Sequence, residues 1–146
     1  MNRLLIRLIT ILLVIPAGAA SASPAPWSGT EESLPVEGYT QSWPDSSGEA
    51  TVEDVRTLPD DAWHQEEPPA ISHGYVDEPY WFRTRVRNTS DTARTPYLEI
   101  GYPALHYIDL HVFSNGEQIK QVSMGNRLPF DQRPVEHRNF VVPLAL

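Results

Sequence analysis

Apolar and polar side chains alternate in short runs through the second half of the chain, which is the pattern of half-buried β-strands. Five such runs are predicted as strands: Tyr80–Arg87, Tyr97–Tyr102, His106–Phe113, Gln118–Val122 and Asn139–Leu144. Between the third and fourth runs, Asn115-Gly116 predicts a β-hairpin, because a type I′ turn needs positive φ at both central residues. The pattern therefore predicts a mostly β fold with antiparallel sheets, arranged as a β-sandwich or jelly roll.

The alternation also predicts which side of each strand is buried. In His106–Phe113 the side chains of Ile108, Leu110 and Val112 are expected to point into the core. Phe113 and the polar residues of that strand then lie on the opposite, outer face.

The chain before residue 80 lacks this periodicity. Residues 23–47 are rich in Pro, Ser and Glu and are predicted as a leader or linker. Thr51 is placed to cap a helical turn, with Asp54 three residues later, and Pro59 stops that turn early. The predicted folded domain therefore spans residues 48–146.

The first 22 residues have the features of a secretory signal peptide. Arg3 and Arg7 give a positive start, Leu8–Ile15 is a short apolar run, and Ala20-Ser21-Ala22 offers a signal peptidase site. The alternative, a retained membrane anchor, conflicts with the length of the run, because spanning a bilayer takes about 20 apolar residues. These features predict export to the periplasm.

Charge and cysteine content exclude several classes of protein. The chain has a net charge of −8, and loss of Arg3 and Arg7 with the signal moves it to about −10. Nucleic acid is not expected as a partner, because binding it requires clustered Lys and Arg. Cysteine is absent from the sequence, so neither a disulfide nor a lipid attached through Cys is available. Stability must come from packing.

The first candidate ligand-binding residues share one face of the first strand. Trp81, Arg83 and Arg85 alternate there, so an aromatic ring lies beside two guanidinium groups. Such a face can stack on a sugar ring while binding its hydroxyls or a carboxylate. The alternative is that Trp81 packs into a second sheet and the arginines pair with Glu99 or Asp109 on neighbouring strands.

A second candidate site is the loop Gly125–Pro134 and the residues that follow it. Its hydrogen-bonding side chains are Arg127, Arg133, His137, Arg138 and Asn139. Such a loop is suited to an anionic or polyhydroxylated ligand. The alternative is that its guanidinium groups bind the carbonyls of the loop itself. His137 either titrates near neutral pH and couples binding to periplasmic acidity, or has a structural role.

Metal and catalytic sites are not predicted. His106 and His111 are five residues apart, so a strand places them on opposite faces. Asp109 and His111 share a face, but two ligands make a weak metal site. The sequence has no nucleophile-elbow serine, and Glu66-Glu67 lies in a Pro-rich loop. We therefore predict no catalytic residue, no metal and no cofactor.

A series of motifs in the second half resembles a known bacterial sensor family. The motifs are Tyr80-Trp81-Phe82-Arg83, Asn88, Leu98-Glu99-Ile100-Gly101-Tyr102-Pro103, Gly125-Asn126-Arg127-Leu128-Pro129-Phe130, Arg133-Pro134 and His137-Arg138-Asn139-Phe140. In this order they resemble the second type of extracellular domain of the seven-transmembrane receptors with diverse intracellular signalling modules, or 7TMR-DISM. The resemblance runs from about Gly48 to Leu146 and is densest over Tyr80–Pro143.

The resemblance implies a function outside the membrane. Domains of this family are exported and fold as a jelly roll similar to galactose-binding-like carbohydrate-binding modules. They precede seven membrane helices and a cytoplasmic output such as a diguanylate cyclase or a histidine kinase. The expected partners are therefore a small ligand such as a saccharide, or a periplasmic protein, together with the inner-membrane helices of the intact receptor.

Two departures from the family pattern qualify this interpretation. The family domain continues beyond the segment that resembles Phe140–Leu144, whereas this sequence stops at Leu146. No run of 18 apolar residues follows Ser23, and no cyclase or kinase motif is present. We expect the C-terminally incomplete N-terminal part of a receptor. The alternatives are a stand-alone periplasmic carbohydrate-binding module or adaptor, and a small secreted hydrolase on a β-sandwich.

Overall fold

The computed structural model describes residues 23–69, 71–74 and 76–144. The predicted signal peptide lies outside the described residues. The strands are β1 (Ala25–Trp27), β2 (Thr40–Pro44), β3 (His64–Gln65), β4 (Tyr80–Thr84), β5 (Val86–Asn88), β6 (Tyr97–Ile100), β7 (Ile108–Ser114), β8 (Glu117–Met124) and β9 (Phe140–Pro143). The helix α1 spans Val52–Arg56, and short 3-10 turns cover Glu37–Tyr39, Asp60–Ala62 and Phe130–Gln132.

The strands pair mainly in antiparallel fashion. β2 lies between β3 and β4, β6 pairs with β9, and β7 pairs with β8. β1 and β5 form a short parallel pair. The prediction of a mostly β fold with antiparallel sheets is confirmed, whereas its jelly-roll, galactose-binding-like detail stays a prediction. Within the described ranges, no helix has the length and apolarity needed to cross a lipid bilayer.

The β7–β8 hairpin forms where the sequence predicts it. Asn115 has a φ of 51° and Gly116 a φ of 86°, so both central residues adopt the positive φ of a type I′ turn. Ile108, Leu110 and Val112 point inward and are almost completely buried. The predicted inner face of this strand is confirmed.

Two apolar cores hold the strands together. The first comprises Leu105, Ile108, Leu110, Val112, Met124, Phe140, Val142 and Leu144. The second joins α1 to β4 and comprises Val52, Val55, Trp63, Trp81 and Phe113. Burying a large apolar side chain contributes about 1.5–3 kcal/mol. β7 therefore stabilises both cores, because Leu110 lies in the first and Phe113 in the second.

Phe113 corrects the predicted outer face of this strand. The side chain is 1% exposed, because α1 and Trp63 cover it. Arg56 of α1 lies 4.2 Å above the Phe113 ring and donates a hydrogen bond to the carbonyl oxygen of Gly116. The helix and the hairpin turn are therefore tied to each other.

Residues 23–47, predicted as a leader or linker, contain β1, a 3-10 turn and β2. The inward side chains of β2 are small and hydroxylated rather than apolar. The hydroxyl groups of Thr40 and Thr84 lie 2.6 Å apart, and the Ser42 hydroxyl donates to the carboxylate of Glu66. A buried face of this kind satisfies its polar groups by hydrogen bonds. Alternating hydrophobicity therefore does not predict strand β2.

The run Tyr80–Arg87, predicted as one strand, is divided in the structure. β4 ends at Thr84 and pairs with β2, whereas β5 begins at Val86 and pairs with β1. Between them, the carbonyl oxygen of Arg85 accepts a hydrogen bond from the Ala25 N–H at 2.8 Å. The chain changes partner at Arg85, which the alternation of side chains does not reveal.

The cap of α1 is confirmed. The Thr51 hydroxyl accepts from the Asp54 N–H, and the Asp54 carboxylate accepts from the Thr51 N–H at 2.9 Å. These reciprocal bonds form a capping box. Hydrogen bonds from the Thr51 hydroxyl and N–H lower the pKa of Asp54. The helix ends at Arg56, before Pro59.

Candidate functional site

Trp81 is a core residue that also lines a surface cleft. It is 2% exposed and packs with Val52, Val55 and Phe113. An open aromatic plate beside arginines, as the sequence suggests, is therefore not what the structure presents. The packing partners are a helix and β7, because α1 covers this face of β4.

Arg83 is held by the protein on several sides. Its guanidinium donates to Asp60 at 2.7 Å and to the side-chain oxygen of Gln41 at 2.7 Å. It also lies 4.3 Å above the ring of Trp63. Burial lowers the pKa of Arg83, and Asp60 opposes that shift. The ion pair forms with Asp60 rather than with Glu99 or Asp109, since the turn at 60–62 lies beside β4.

Arg85 is half-buried at the junction of β4 and β5. Burial lowers its pKa, and the charge of Asp60 acts in the opposite direction. Its guanidinium makes no hydrogen bond or ion pair with any residue that the structure describes. Arg85 lines neither of the two clefts described below, whereas Trp81 lines the first of them.

Arg133 binds its own loop. One guanidinium nitrogen donates to the carbonyl oxygens of His137 at 2.8 Å and Arg138 at 3.2 Å. The guanidinium carbon also lies 4.7 Å from the ring centre of Phe130 and 4.5 Å from that of Phe140. This matches the alternative in which the guanidinium stabilises the loop.

The remaining residues of that loop do not form a common pocket with Trp81. Arg127, His137 and Arg138 are exposed. Asn139 is buried, and its side-chain amide donates to the carboxylate of Glu99. The His137 ring nitrogen Nδ1 accepts from the Asn139 N–H at 3.2 Å. The ligand-binding role of this loop stays a prediction.

The structure brings a different set of polar residues together around Trp81. An open cleft of about 440 Å³ lies between the segment entering α1 and the outer face of the β7–β8 hairpin. We call it the amide cleft. It is lined by Glu49, Ala50, Thr51, Val52, Glu53, Trp81, Asp109, His111, Gln118 and Gln121.

A β-bulge places both glutamines in this cleft. Val112 is opposite Lys120, but Phe113 is opposite Gln118, so Ile119 is the extra residue on β8. In a regular strand, residues three apart point to opposite faces. The bulge removes that restriction for Gln118 and Gln121. Regular alternation therefore does not predict Gln118 and Gln121 together, although it does place Asp109 and His111 on one face.

The other wall of the cleft is positioned by Asp45, which is completely buried. Its carboxylate accepts hydrogen bonds from the Ser47 hydroxyl at 2.6 Å and from the N–H groups of Gly48 and Ala50. Burial alone would raise the pKa of Asp45, but these bonds outweigh it and lower the pKa. The Trp81 indole N–H also lowers the pKa of Asp45, because it lies near the carboxylate. It does not reach hydrogen-bonding geometry. The loop before α1 is thereby fixed.

Several polar atoms of the amide cleft have spare hydrogen-bonding capacity. His111 Nδ1 lies 2.9 Å from Gln118 Oε1, and the Gln118 amide donates to Gln121 at 3.4 Å. One oxygen of Asp109 accepts from the Ser123 hydroxyl at 2.6 Å. The second Asp109 oxygen and the Gln121 NH₂ group make no hydrogen bond with the described residues. The cleft can therefore offer both acceptors and donors to a ligand.

A second cleft, of about 480 Å³, lies beside β3, and we call it the Glu66 cleft. It is lined by Ser42, Pro44, His64, Gln65, Glu66, Glu67, Ser72, His73 and Tyr80. Its polar groups mostly bind each other. Glu66 accepts from Ser42 and lies 3.1 Å from His73 Nε2, while the Gln65 amide donates to the carbonyl oxygens of Gly38 and Thr40. The His73 ring stacks on Tyr80.

The search for metal ligands concerns the same side chains. Among the residues described, His, Asp and Glu side chains do not gather in groups of three or more that could ligate an ion.

Comparison with known proteins agrees with the family resemblance. Residues 37–146 match the family model described as 7TMR-DISM extracellular 2. The match begins in the 3-10 turn before β2, so it includes part of the segment predicted as a linker. No curated protein and no solved structure matches the chain significantly. The chain therefore belongs to the 7TMR-DISM extracellular 2 family, whose members are exported, non-catalytic sensor domains of receptors.

Proposed function

We propose that this domain senses a small polyhydroxylated ligand such as a saccharide, and that the amide cleft binds it. The observation that carries the proposal is the spare hydrogen-bonding capacity of Gln121 and Asp109 in a concave site. Sugar hydroxyls both donate and accept, so side-chain amides and carboxylates suit them. In the Glu66 cleft, by contrast, the Gln65 amide donates to backbone carbonyl oxygens, and the Glu66 carboxylate accepts from Ser42.

The proposed binding residues are therefore revised. Of the residues predicted from the sequence, Trp81 lines the amide cleft. Its partners there are Asp109, His111, Gln118 and Gln121. In this proposal the arginines of β4 stabilise the sheet rather than contact the ligand.

Sensing requires the bound ligand to favour one of two arrangements of the receptor. In the proposed receptor, the cleft lies on the periplasmic side, and its occupancy biases the membrane helices and a cytoplasmic cyclase or kinase. Membership of the sensor family supports this part. A stand-alone periplasmic carbohydrate-binding module would use the same cleft without that output.

Removing the Gln121 amide tests the cleft. The domain is first screened against a panel of soluble oligosaccharides, and the tightest binder is titrated by calorimetry. Gln121→Ala is expected to weaken binding about tenfold, because loss of a ligand hydrogen bond costs about 1–1.5 kcal/mol. The melting temperature should stay unchanged, since Gln121 is exposed.

The matched control is Gln132→Ala, an exposed glutamine in the 3-10 turn at 130–132. It should bind like the unaltered domain. The proposal is contradicted if no saccharide in the panel binds, or if both variants bind as tightly as the parent.

A further inference from the structure

His111 is nearly buried, yet one of its ring nitrogens is left open to the amide cleft. The residue is 8% exposed and lines the cleft, and its Nδ1 lies 2.9 Å from Gln118 Oε1. Its Nε2 makes no hydrogen bond with the described residues and keeps contact with solvent. Polar groups at such depth are normally satisfied within the protein. An open imidazole nitrogen in a cleft therefore indicates a partner from outside.

The amide of Gln118 determines which ring nitrogen of His111 carries the proton. Gln118 directs its NH₂ group to Gln121 at 3.4 Å, so its oxygen faces His111. A neutral imidazole has one donor and one acceptor nitrogen, and the hydrogen bond of one fixes the role of the other. When Nδ1–H donates to Gln118 Oε1, the lone pair of Nε2 is left in the cleft. His111 is then an acceptor for a ligand.

Asp109 places a second acceptor on the same face of β7. Residues two apart on a strand point the same way and lie about 6.6 Å apart. One Asp109 oxygen accepts from the Ser123 hydroxyl, and the other makes no hydrogen bond within the part of the chain that the structure describes. An ionised carboxylate accepts hydrogen bonds and cannot donate them. The cleft thus presents two acceptors side by side along one strand.

We propose that Asp109 and His111 select ligands by their free hydroxyl groups, and that Gln118 is a positioning residue that keeps His111 in its accepting tautomer. Neighbouring hydroxyls of a sugar ring can donate one hydrogen bond to each acceptor. A sugar with methylated hydroxyls keeps its oxygen acceptors but has no donors, so both protein acceptors would be left unpaired. Such a mismatch is costly in a partly buried site. This inference rests on the proposed function and names the chemical group that the cleft recognises.

The tautomer of His111 can be measured without a ligand. Long-range ¹H–¹⁵N correlation spectra of the ¹⁵N-labelled domain are recorded at about pH 8.5, where histidine side chains are ordinarily neutral. The His111 signals are assigned by their loss in His111→Phe. We expect the proton on Nδ1 in the unaltered domain, and a shift of the proton towards Nε2 in Gln118→Leu, because leucine offers no acceptor.

Gln132→Leu is the matched control, since Gln132 is exposed in the 3-10 turn at 130–132. It should leave the His111 signals unchanged. A proton on Nε2 in the unaltered domain overturns the proposal, whatever the domain binds.

A methylated sugar tests the pair of acceptors. The probe is the tetramer of β-1,4-linked glucose, or the tightest binder of the oligosaccharide panel if that is another sugar, together with its O-methylated form. We expect the free sugar to bind about tenfold more tightly or better. Methyl groups also add bulk, so the comparison is repeated in His111→Phe, which keeps a ring without its nitrogens. This variant should lose most of the discrimination, whereas a steric effect would persist.

Asp109→Asn is a second variant, of nearly unchanged size, that replaces an acceptor oxygen by an NH₂ donor. It should also reduce the discrimination between the free and the methylated sugar. Asp131→Asn makes the same substitution at an exposed position outside the cleft and should keep the discrimination.

The outcomes separate this inference from the proposed function. Equal binding of the free and the methylated sugar to the unaltered domain overturns hydroxyl selection and leaves the proposed function standing. Discrimination that persists undiminished in His111→Phe and Asp109→Asn also overturns it, because the selecting groups then lie elsewhere. Absence of binding by the tetramer and by the whole panel overturns both.

Discussion

Trp81→Ala is expected to lower the free energy of unfolding by about 3–5 kcal/mol, the cost typical of removing a large aromatic side chain from a core. Trp81 is 2% exposed and touches α1, the segment before β3 and β7 through the second core. Its loss leaves a cavity that neighbouring backbone elements cannot fill. The total stability of a small domain is about 5–15 kcal/mol, so this loss is a large part of it.

Urea unfolding followed by circular dichroism measures this effect. Trp27→Ala is the matched control, since Trp27 is only half-buried on the short strand β1. Trp27→Ala should lower the free energy of unfolding clearly less than Trp81→Ala does. An equal loss in the two variants, or a Trp81→Ala domain as stable as the parent, would show that Trp81 is not a core residue.

Gly125→Ala should destabilise the domain by about 3 kcal/mol or more, through collision with the backbone. A Cβ atom at Gly125 would lie 2.0 Å from the carbonyl oxygen of His106 and 2.7 Å from its carbonyl carbon. The two segments are also joined by hydrogen bonds from the Asn126 N–H to Leu105 and from the Arg127 N–H to His106. Relief of the collision requires these segments to separate.

Gly101→Ala is the matched control, because it makes the same substitution at a position where the added Cβ meets no neighbour. No heavy atom among the described residues lies within 4 Å of a Cβ built at Gly101. Its free energy of unfolding should change by about 0.5 kcal/mol or less. If Gly125→Ala unfolds at the same urea concentration as Gly101→Ala, the close approach of residues 106 and 125 is refuted.

The sequence predicts those parts of the fold that depend on local chemistry. The Asn115-Gly116 turn and the Thr51 cap are specified by a few adjacent residues, and both form as predicted. β2 was missed because its buried face carries Thr40 and Ser42, whose burial is compensated by hydrogen bonds to distant residues. The face of β7 that carries Phe113 is predicted to be outer because α1, which covers Phe113, is far away in the sequence.

The residues of the amide cleft are only partly predictable, because some of them depend on contacts between distant parts of the chain. Asp109 and His111 share a face by simple alternation, and Trp81 was recognised as a candidate. Gln118 and Gln121 depend on a bulge, which changes the register without a distinctive residue in the sequence. Arg83 and Arg133 looked available because a sequence does not reveal their partners, Asp60 for the first and loop carbonyls for the second.

The binding surface itself can be located by nuclear magnetic resonance of the ¹⁵N-labelled domain. The chain has four tryptophans, whose indole N–H groups give separate signals. Addition of a binding oligosaccharide should shift the Trp81 indole and the side-chain amides of Gln118 and Gln121, while the Trp27 indole stays in place. Shifts confined to His73 and the Glu66 cleft, with the Trp81 signal unchanged, would contradict ligand binding in the amide cleft.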